Sequence, residues 1–406
     1  MPTTSLTTGN SVGNADANRM AGEPGLAQDR VMLEWARQRP NDGFVIGVAL
    51  RVQGPRPTPE RLAALVTARM AQVPVLAECL DGPLREERWR PADGFDIGRH
   101  VHVLNGAIDL HRTAELLANQ PLGDDRPGWG LWLTGTGRDD EYLLAYRVHH
   151  AAQDGAAVAH TISRLFDARV PEPASEKSSK AVDRQWATTP PPPPPRKQSR
   201  LLATADVPVE ALRTISRASG ASLNDIYLAA LAGSLRAWLP RAERGRPVPV
   251  RVPFNLRLRQ DRQDRGNRCG LMRILLPVEE RGADRRLARI IEQTSSWPRD
   301  RTRKVIDNMP HHLFWKNFSI SLSPEDALGS ATLLGVHTPL AVGGAPVTAG
   351  LALPPLLSGH LFSSVLFLYG TRAAFSVTAR TQHQHVRDLP HLWERELAEL
   401  ATATRA

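Results

Sequence analysis

Tyr142-Leu143-Leu144-Ala145-Tyr146-Arg147-Val148-His149-His150-Ala151-Ala152-Gln153-Asp154-Gly155 is the stretch on which the reading of this chain turns. Its first seven residues form a strand-like apolar run, and after Gly155 the Ala-rich segment Ala156 to Phe166 carries apolar residues at helical spacing. The two histidines, the aspartate and the glycine therefore sit on a strand-loop-helix corner. With period-two alternation Leu144, Tyr146, Val148 and His150 share one face if the strand persists that far, and His149 faces the other way.

Those residue types suit one chemistry. An alcohol or amine attacking a thioester must lose a proton, and an imidazole titrating near neutrality can take it and pass it to the departing thiol. His150 is the candidate general base. A nearby carboxylate can hold the ring's tautomer and orientation or pin the loop, and Asp154 is placed for either. Gly155 permits a positive φ or a close backbone approach where the chain reverses. His149 is expected to make a structural hydrogen bond.

Working outward, Gly130 to Thr136 and Glu141 to His150 read as a hairpin, preceded by a helix at Gln28 to Gln38, a strand at Phe44 to Val52 and a helix at Pro59 to Met70. The sharpest boundary is Pro171 to Ser199, with six consecutive prolines, Pro190 to Pro195. Such a stretch buries too little apolar surface to offset its ordering entropy and reads as an extended spacer. The expected layout is a disordered tail at 1–24, a first half at 25–170, a linker at 171–199 and a second half at 200–406.

In the second half Leu201 to Val207, Pro247 to Leu256 and Leu271 to Val278 read as strands, and Phe362 to Leu368 with Ala373 to Ala379 as a hairpin. Helices are expected at Val209 to Ala218, Ile226 to Leu239, Arg286 to Gln293 and Leu389 to Thr402. Ser222 with Asp225 three residues on is a capping-box pattern. Each half mixes strands and helices without strict alternation, which points to an α+β class of sandwiches.

At 406 residues, 41% of them hydrophobic, the chain is long enough for two cores. Its net charge is +9, but only five of its 51 basic residues are lysine and the arginines are spread along the chain, so no nucleic-acid footprint is expected. A basic rim suits an anionic carrier or membrane surface. Cys79 and Cys269 lie far apart and fit a reducing compartment. The polar N-terminus lacks a signal-peptide core, so a cytoplasmic location is expected. The histidine pairs lack ligand-spaced partners, and no metal is expected.

Taken together, Pro121-Leu122 to Trp129, YRVHHAAQDG at 146–155, SLNDIYLAALAGSLRAWL at 222–239, VPFNLR at 252–257, GNRCGLM at 266–272 and YGTR at 369–372 carry a resemblance. The chain resembles the HHxxxDG acyltransferase superfamily of condensation domains and chloramphenicol-acetyltransferase-like folds, and within it the wax ester synthase/diacylglycerol acyltransferase branch. The resemblance implies two chloramphenicol-acetyltransferase-like α/β sandwich halves in a V-shaped pseudo-dimer, with the active site in an interface tunnel. It implies His150 as base and Asp154 tied to an arginine of the second half, for which Arg257 is the candidate. Asn267 is expected either to orient the acceptor or to shape a turn. Trp129 and Asn224 are the candidate substrate-binding residues, with a core role as the alternative for the tryptophan.

The implied function moves an acyl group from acyl-CoA or acyl carrier protein to a hydroxyl acceptor, without a cofactor. Open alternatives are an amide-forming condensation with a carrier-bound donor, a non-catalytic thioester-binding relative, and a peripheral membrane contact. Two segments depart from the branch: Gly335-Val336-His337-Thr338-Pro339-Leu340 replaces an NVPGP-like element, and Pro127-Gly128-Trp129 replaces PLW. Both are expected beside the acyl and acceptor pockets, so a specialised-metabolite acyltransferase fits as well as storage-lipid synthesis.

Overall fold

The structure, a computed structural model, describes residues 22–39, 44–122, 127–170, 187–188 and 199–404. The prolines Pro190 to Pro195 and the tail before residue 22 lie outside the described residues. Through the first half run β1 (Glu23–Pro24), α1 (Ala27–Gln38), β2 (Val45–Gln53), α2 (Pro59–Arg69), β3 (Glu78–Asp81), β4 (Arg88–Pro91), β5 (Val101–Ala107), α3 (Leu110–Asn119), β6 (Trp129–Gly135), β7 (Glu141–His149) and α4 (Gly155–Leu165). Next come β8 (Ala187–Thr188), β9 (Arg200–Pro208), α5 (Val209–Ser219), α6 (Leu223–Trp238), β10 (Val248–Asn255), β11 (Cys269–Leu276), α7 (Ala283–Ser295), α8 (Arg299–Asp307) and α9 (His311–Ser321). The chain closes with β12 (Gly329–Val336), β13 (Ala341–Val342), β14 (Ala345–Leu353), β15 (Phe362–Tyr369), β16 (Arg372–Arg380) and α10 (Leu389–Ala403).

Local signals set the main boundaries. Thr58 caps α2, its hydroxyl accepting from the Arg61 amide at 3.3 Å with Pro59 in the first turn. Ser222 and Asp225 form the expected capping box of α6. That helix is buried almost all round, from Asp225 to Leu235, so its apolar run shows little amphipathic contrast. Strand β7 is buried on both faces: Leu144, Tyr146 and Val148 pack with α2 and α4, while Leu143 and Ala145 pack with Leu110, Ala114 and Leu117 of α3. That double burial explains its apolar run from Tyr142 to Tyr146.

Three sheets result. The largest has the order β13-β14-β2-β7-β6-β5-β8, the second β11-β10-β12-β15-β16-β9, and a small one β1-β4-β3. Pairings are mostly antiparallel, with parallel neighbours at β5/β6, β5/β8, β10/β12 and β12/β15. The architecture is the expected α+β pair of chloramphenicol-acetyltransferase-like halves, but the linker does not separate two self-contained sheets. Strand β14 belongs in sequence to the second half and pairs with β2 of the first, Leu351 opposite Ala49. Val336, Leu340, Val347 and Phe367 join the first half's core. Glu23 and Pro24, assigned to the tail, pair with Trp89 and Arg88, and Ala187 in the expected linker pairs with His102.

Periodicity misses β5, α3, α8, α9, β12 and β14, which have short or mixed apolar patterns; α8 has no buried residue, and the others gain their burial from distant partners. Because β14 is held by β2 through backbone hydrogen bonds and apolar packing, the halves are expected to associate without a covalent link. Co-expression of the chain split between Pro193 and Pro194 should give a single co-purifying particle by size exclusion. Separate elution of two folded halves would contradict the strand exchange.

Candidate active site

The motif loop is fastened at both ends. Strand β7 stops at His149, so His150 leaves the alternation and its position comes from the turn, where its amide donates to Phe44 O at 2.7 Å. His149 stacks near Phe44, and its Nδ1 accepts from the Ala151 amide at 3.2 Å. Asp154 is the N-cap of α4, with Oδ1 accepting from the Ala157 amide at 3.0 Å.

Asp154 also reaches across to the loop after β10. Arg257 Nη1 donates to Asp154 Oδ1 and Oδ2 at 2.7 and 2.6 Å, and the Arg268 amide donates to Oδ2 at 3.0 Å. Arg257 Nη2 donates to the Arg265 and Gly266 carbonyls at 3.2 and 2.6 Å. The two side chains are only 1% and 7% exposed, so this is a buried ion pair with its remaining hydrogen-bonding groups engaged. Asp154 thereby ties the motif loop to the second half, and no hydrogen bond among the described residues joins it to the His150 ring.

Asn267 takes that place. It is fully buried, and its Oδ1 lies 3.1 Å from His150 Nδ1. Its Nδ2 donates to Asp29 Oδ1 at 3.0 Å, His150 O at 2.9 Å and Ala151 O at 3.3 Å. Carbonyls only accept, so the amide nitrogen must face them and the amide oxygen must face His150. Nδ1 then carries the imidazole proton, and Nε2 is left as a bare lone pair. Burial lowers the pKa of His150 below the ordinary imidazole range, which favours the neutral ring.

Behind Asn267 stands Asp29 in the first turn of α1, whose Oδ1 also accepts from the Asn267 amide at 2.6 Å. Burial pushes its carboxyl up to about 6, although the Asn267 and Leu26 donors oppose the rise. Gly266 has φ +72°, and a Cβ there would lie 2.9 Å from Asp29 Oδ2, so glycine is required at this point. Gln153, fully buried, accepts from Tyr146 OH at 2.8 Å and donates to Thr161 Oγ1 at 2.7 Å. Asp29 and Gln153 carry no sequence signal: one is an ordinary first-turn acid, the other an unspecified place in the motif.

His150 lines a cavity of about 490 Å³ between the halves, walled mostly by apolar side chains such as Met32, Phe254, Phe318 and Leu334. Cys269 lines it too, but burial pushes its thiol up to about 12, so no thiolate nucleophile is present near neutrality. Among the described residues no group of three or more His, Cys, Asp and Glu gathers as a metal site. No helix among them is long and apolar enough to cross a membrane.

Several expectations need correction. Trp129 is 4% exposed, stacks on His100 at 4.5 Å, donates from its indole to Leu76 O at 2.8 Å and does not line the cavity. Asn224, in the first turn of α6, is also absent from the cavity wall. Gly155 has no positive φ, and a Cβ there would meet Leu334 Cδ1 only at 3.6 Å; it opens α4 against the cavity. Residues 335–340 lie away from the cavity, with the Leu340 amide held by Tyr369 OH at 3.0 Å and the Ala168 amide by Pro339 O at 2.9 Å. The two altered segments therefore support the fold and do not line the pocket.

Replacing Asp154 with Asn leaves the Arg257 charge buried without its counter-ion, so a loss of about 3–5 kcal/mol is expected in urea unfolding. A loss below about 1 kcal/mol would show the pair to be dispensable. Asp29 holds its proton more tightly folded than unfolded, so its contribution to stability falls as pH rises from 3.8 to about 6. The difference in unfolding free energy between wild type and Asp29→Asn should change by about 3 kcal/mol across that window and be flat above it.

Comparison with known proteins agrees with this architecture. Residues 28–192 match the family described as wax ester synthase/diacylglycerol acyltransferase catalytic domain. A probable diacylglycerol O-acyltransferase of Mycobacterium tuberculosis is 23% identical over 298 residues, 60% of this chain and 64% of that protein. A putative diacylglycerol O-acyltransferase of the same organism is 26% identical over 130 residues, 31% of this chain and 28% of its own length. The chain thus spans less than two thirds of these curated relatives. Among solved structures, the wax ester synthase/diacylglycerol acyltransferase of Marinobacter aquaeolei superposes with a TM-score of 0.66 at 16% identity, over 94% of this chain and 100% of that one. The starter condensation domain of rhizomide synthetase, in complex with C8-CoA and Leu-SNAC, gives 0.63 at 13% identity, over 98% and 97%. Residues 28–192 are thus similar to the wax ester synthase/diacylglycerol acyltransferase catalytic domain, and the chain shares the fold of that solved acyltransferase and of the condensation domains.

Proposed function

We propose that this chain transfers an acyl group from a thioester to a hydroxyl acceptor, with His150 as general base. The observation that carries this reading is the His150 ring, whose Nδ1 proton is fixed on Asn267 and whose Nε2 lone pair is free on a residue lining the cavity. Nε2 takes the hydroxyl proton as the oxygen attacks the thioester carbonyl, and returns it to the sulfur as the tetrahedral intermediate collapses. Gly155 and Ala156 open α4 and line the same cavity, and the first turn of a helix has N–H groups to offer a developing oxyanion.

The substrate class follows from the walls. A cavity of about 490 Å³ lined mainly by apolar side chains favours an aliphatic chain over a sugar or a peptide. The similar catalytic-domain family and the diacylglycerol O-acyltransferases of Mycobacterium support a lipid ester as the product. Acyl-CoA is the favoured donor, since a protein of this fold is known with C8-CoA bound.

Purified protein given medium-chain acyl-CoA or acyl carrier protein and a primary fatty alcohol should form ester, read by mass spectrometry. His150→Ala should lower kcat by about 100-fold or more with unfolding unchanged; undiminished turnover would remove His150 from the mechanism. Asn267→Ala, which frees the ring, should lower kcat while leaving KM nearly unchanged. Because the active base is neutral and burial lowers its pKa, the rate should rise with pH to a plateau with its midpoint below about 6.5. A midpoint above that value would contradict the buried, neutral ring.

A further inference from the structure

The cavity opens to the surface beside α8 and α9. Of the seven large hydrophobic side chains exposed among the described residues, Val305, Leu313 and Ile320 stand on these two helices, 51%, 45% and 47% exposed. Single exposed apolar residues are ordinary on a protein surface, but these sit at one place. Val305 and Ile320 also line the cavity, and a side chain about half exposed does so only at an opening. Asn317 Nδ2 lies 3.5 Å from Met309 Sδ, both on lining residues, and so ties α9 to the chain leaving α8 at that rim.

Helical spacing carries the rim onto the outer surface. On α9, Leu313, Lys316, Asn317 and Ile320 fall at i, i+3, i+4 and i+7 and share one exposed face, about 10 Å long. On α8, which has no buried residue, Arg301, Lys304 and Val305 share a face next to that of Thr302 and Ile306, which line the cavity. Arg301, Lys304 and Lys316 make no ion pair among the described residues, whereas Arg303 is held by Asp261 and Asp307 at 3.2 and 3.3 Å. Asp307 is thereby engaged, and the other acid of these helices, Asp300, lies about 100° round α8 from Arg301.

We infer that the face formed by α8 and α9 docks on an anionic lipid bilayer, with Val305, Leu313 and Ile320 entering the interface and Arg301, Lys304 and Lys316 meeting the headgroup phosphates. Outward apolar side chains bordered by cations suit the boundary between acyl chains and anionic headgroups. An aliphatic chain passing from that boundary into the cavity stays out of water throughout, which removes the cost of exposing it. An acidic carrier protein would match the cations but would offer the apolar rim no hydrocarbon to enter. The inference rests on the reading of the cavity as a site for an aliphatic chain; vesicle binding is measured without turnover, so the two fail separately.

Flotation of the full chain with unilamellar vesicles compares phosphatidylcholine alone with an equimolar mixture of phosphatidylcholine and phosphatidylglycerol. Binding to the anionic vesicles should be about tenfold tighter or more, and should weaken as salt is added. Arg301→Glu, Lys304→Glu and Lys316→Glu combined should lower it about tenfold or more, and Leu313→Ser alone about threefold or more. Thermal unfolding should not change, because all four side chains are exposed. A control with Arg213→Glu, Arg241→Glu and Arg246→Glu, exposed elsewhere in the second half, alters net charge equally and should keep nearly all of the binding. No binding to the anionic vesicles, no preference for them, an equal loss in both triple variants, or full binding by both variants of the face would overturn the assignment. So would a dimer in size exclusion that Leu313→Ser splits, or vesicle binding indifferent to the triple reversal on the face when that reversal abolishes binding of an acyl carrier protein; a second copy or the carrier would then be the occupant.

Discussion

The buried pair between Asp154 and Arg257 is the contact on which the rest of the site depends. Asp154 caps α4, neutralises Arg257 and receives the Arg268 amide, so one carboxylate joins the motif loop to the loop that delivers Asn267. Two charges so deeply buried are tolerated because their lone pairs and N–H groups are engaged on every side. Once that seam is closed, Gly266 can sit against Asp29, and Asn267 can face His150. The ring's tautomer then follows from acceptors that cannot donate.

Dividing the work in this way separates holding from reacting. Asp154, Gln153, Asp29 and Asn267 are buried and spend their hydrogen bonds on the protein, while His150 keeps one nitrogen free at the cavity. Two neutral histidines, His150 and His360, each with its tautomer set by an acceptor, line a chamber walled mostly by apolar side chains. In both cases burial favours the uncharged ring.

Much of this was legible beforehand. The strand and helix flanking His149 and His150, the capping box at Ser222 and Asp225, and the hairpin from Phe362 to Ala379 are local features, and local propensity and periodicity reveal them. Trp129 and the segment from His337 to Leu340 were misplaced for a physical reason. A departure from a familiar pattern locates a change in sequence, but whether that change faces a pocket or a core depends on the strands packed around it. The Trp129 ring sits between His100 and Tyr146, in the core of the first half.

By itself the sequence determined the α+β class, the catalytic histidine candidate and the candidate arginine partner of Asp154, because each depends on residue chemistry at short spacing or on motifs in a fixed order. Only the tertiary structure decided that β14 completes the first half's sheet, that Asp29 stands behind Asn267, and that His360 lines the cavity. Those relations join residues as much as 300 positions apart, as with Thr348 and Arg51 at a separation of 297. Strand pairing and buried hydrogen bonds select such partners in space, and no periodicity along the chain records them.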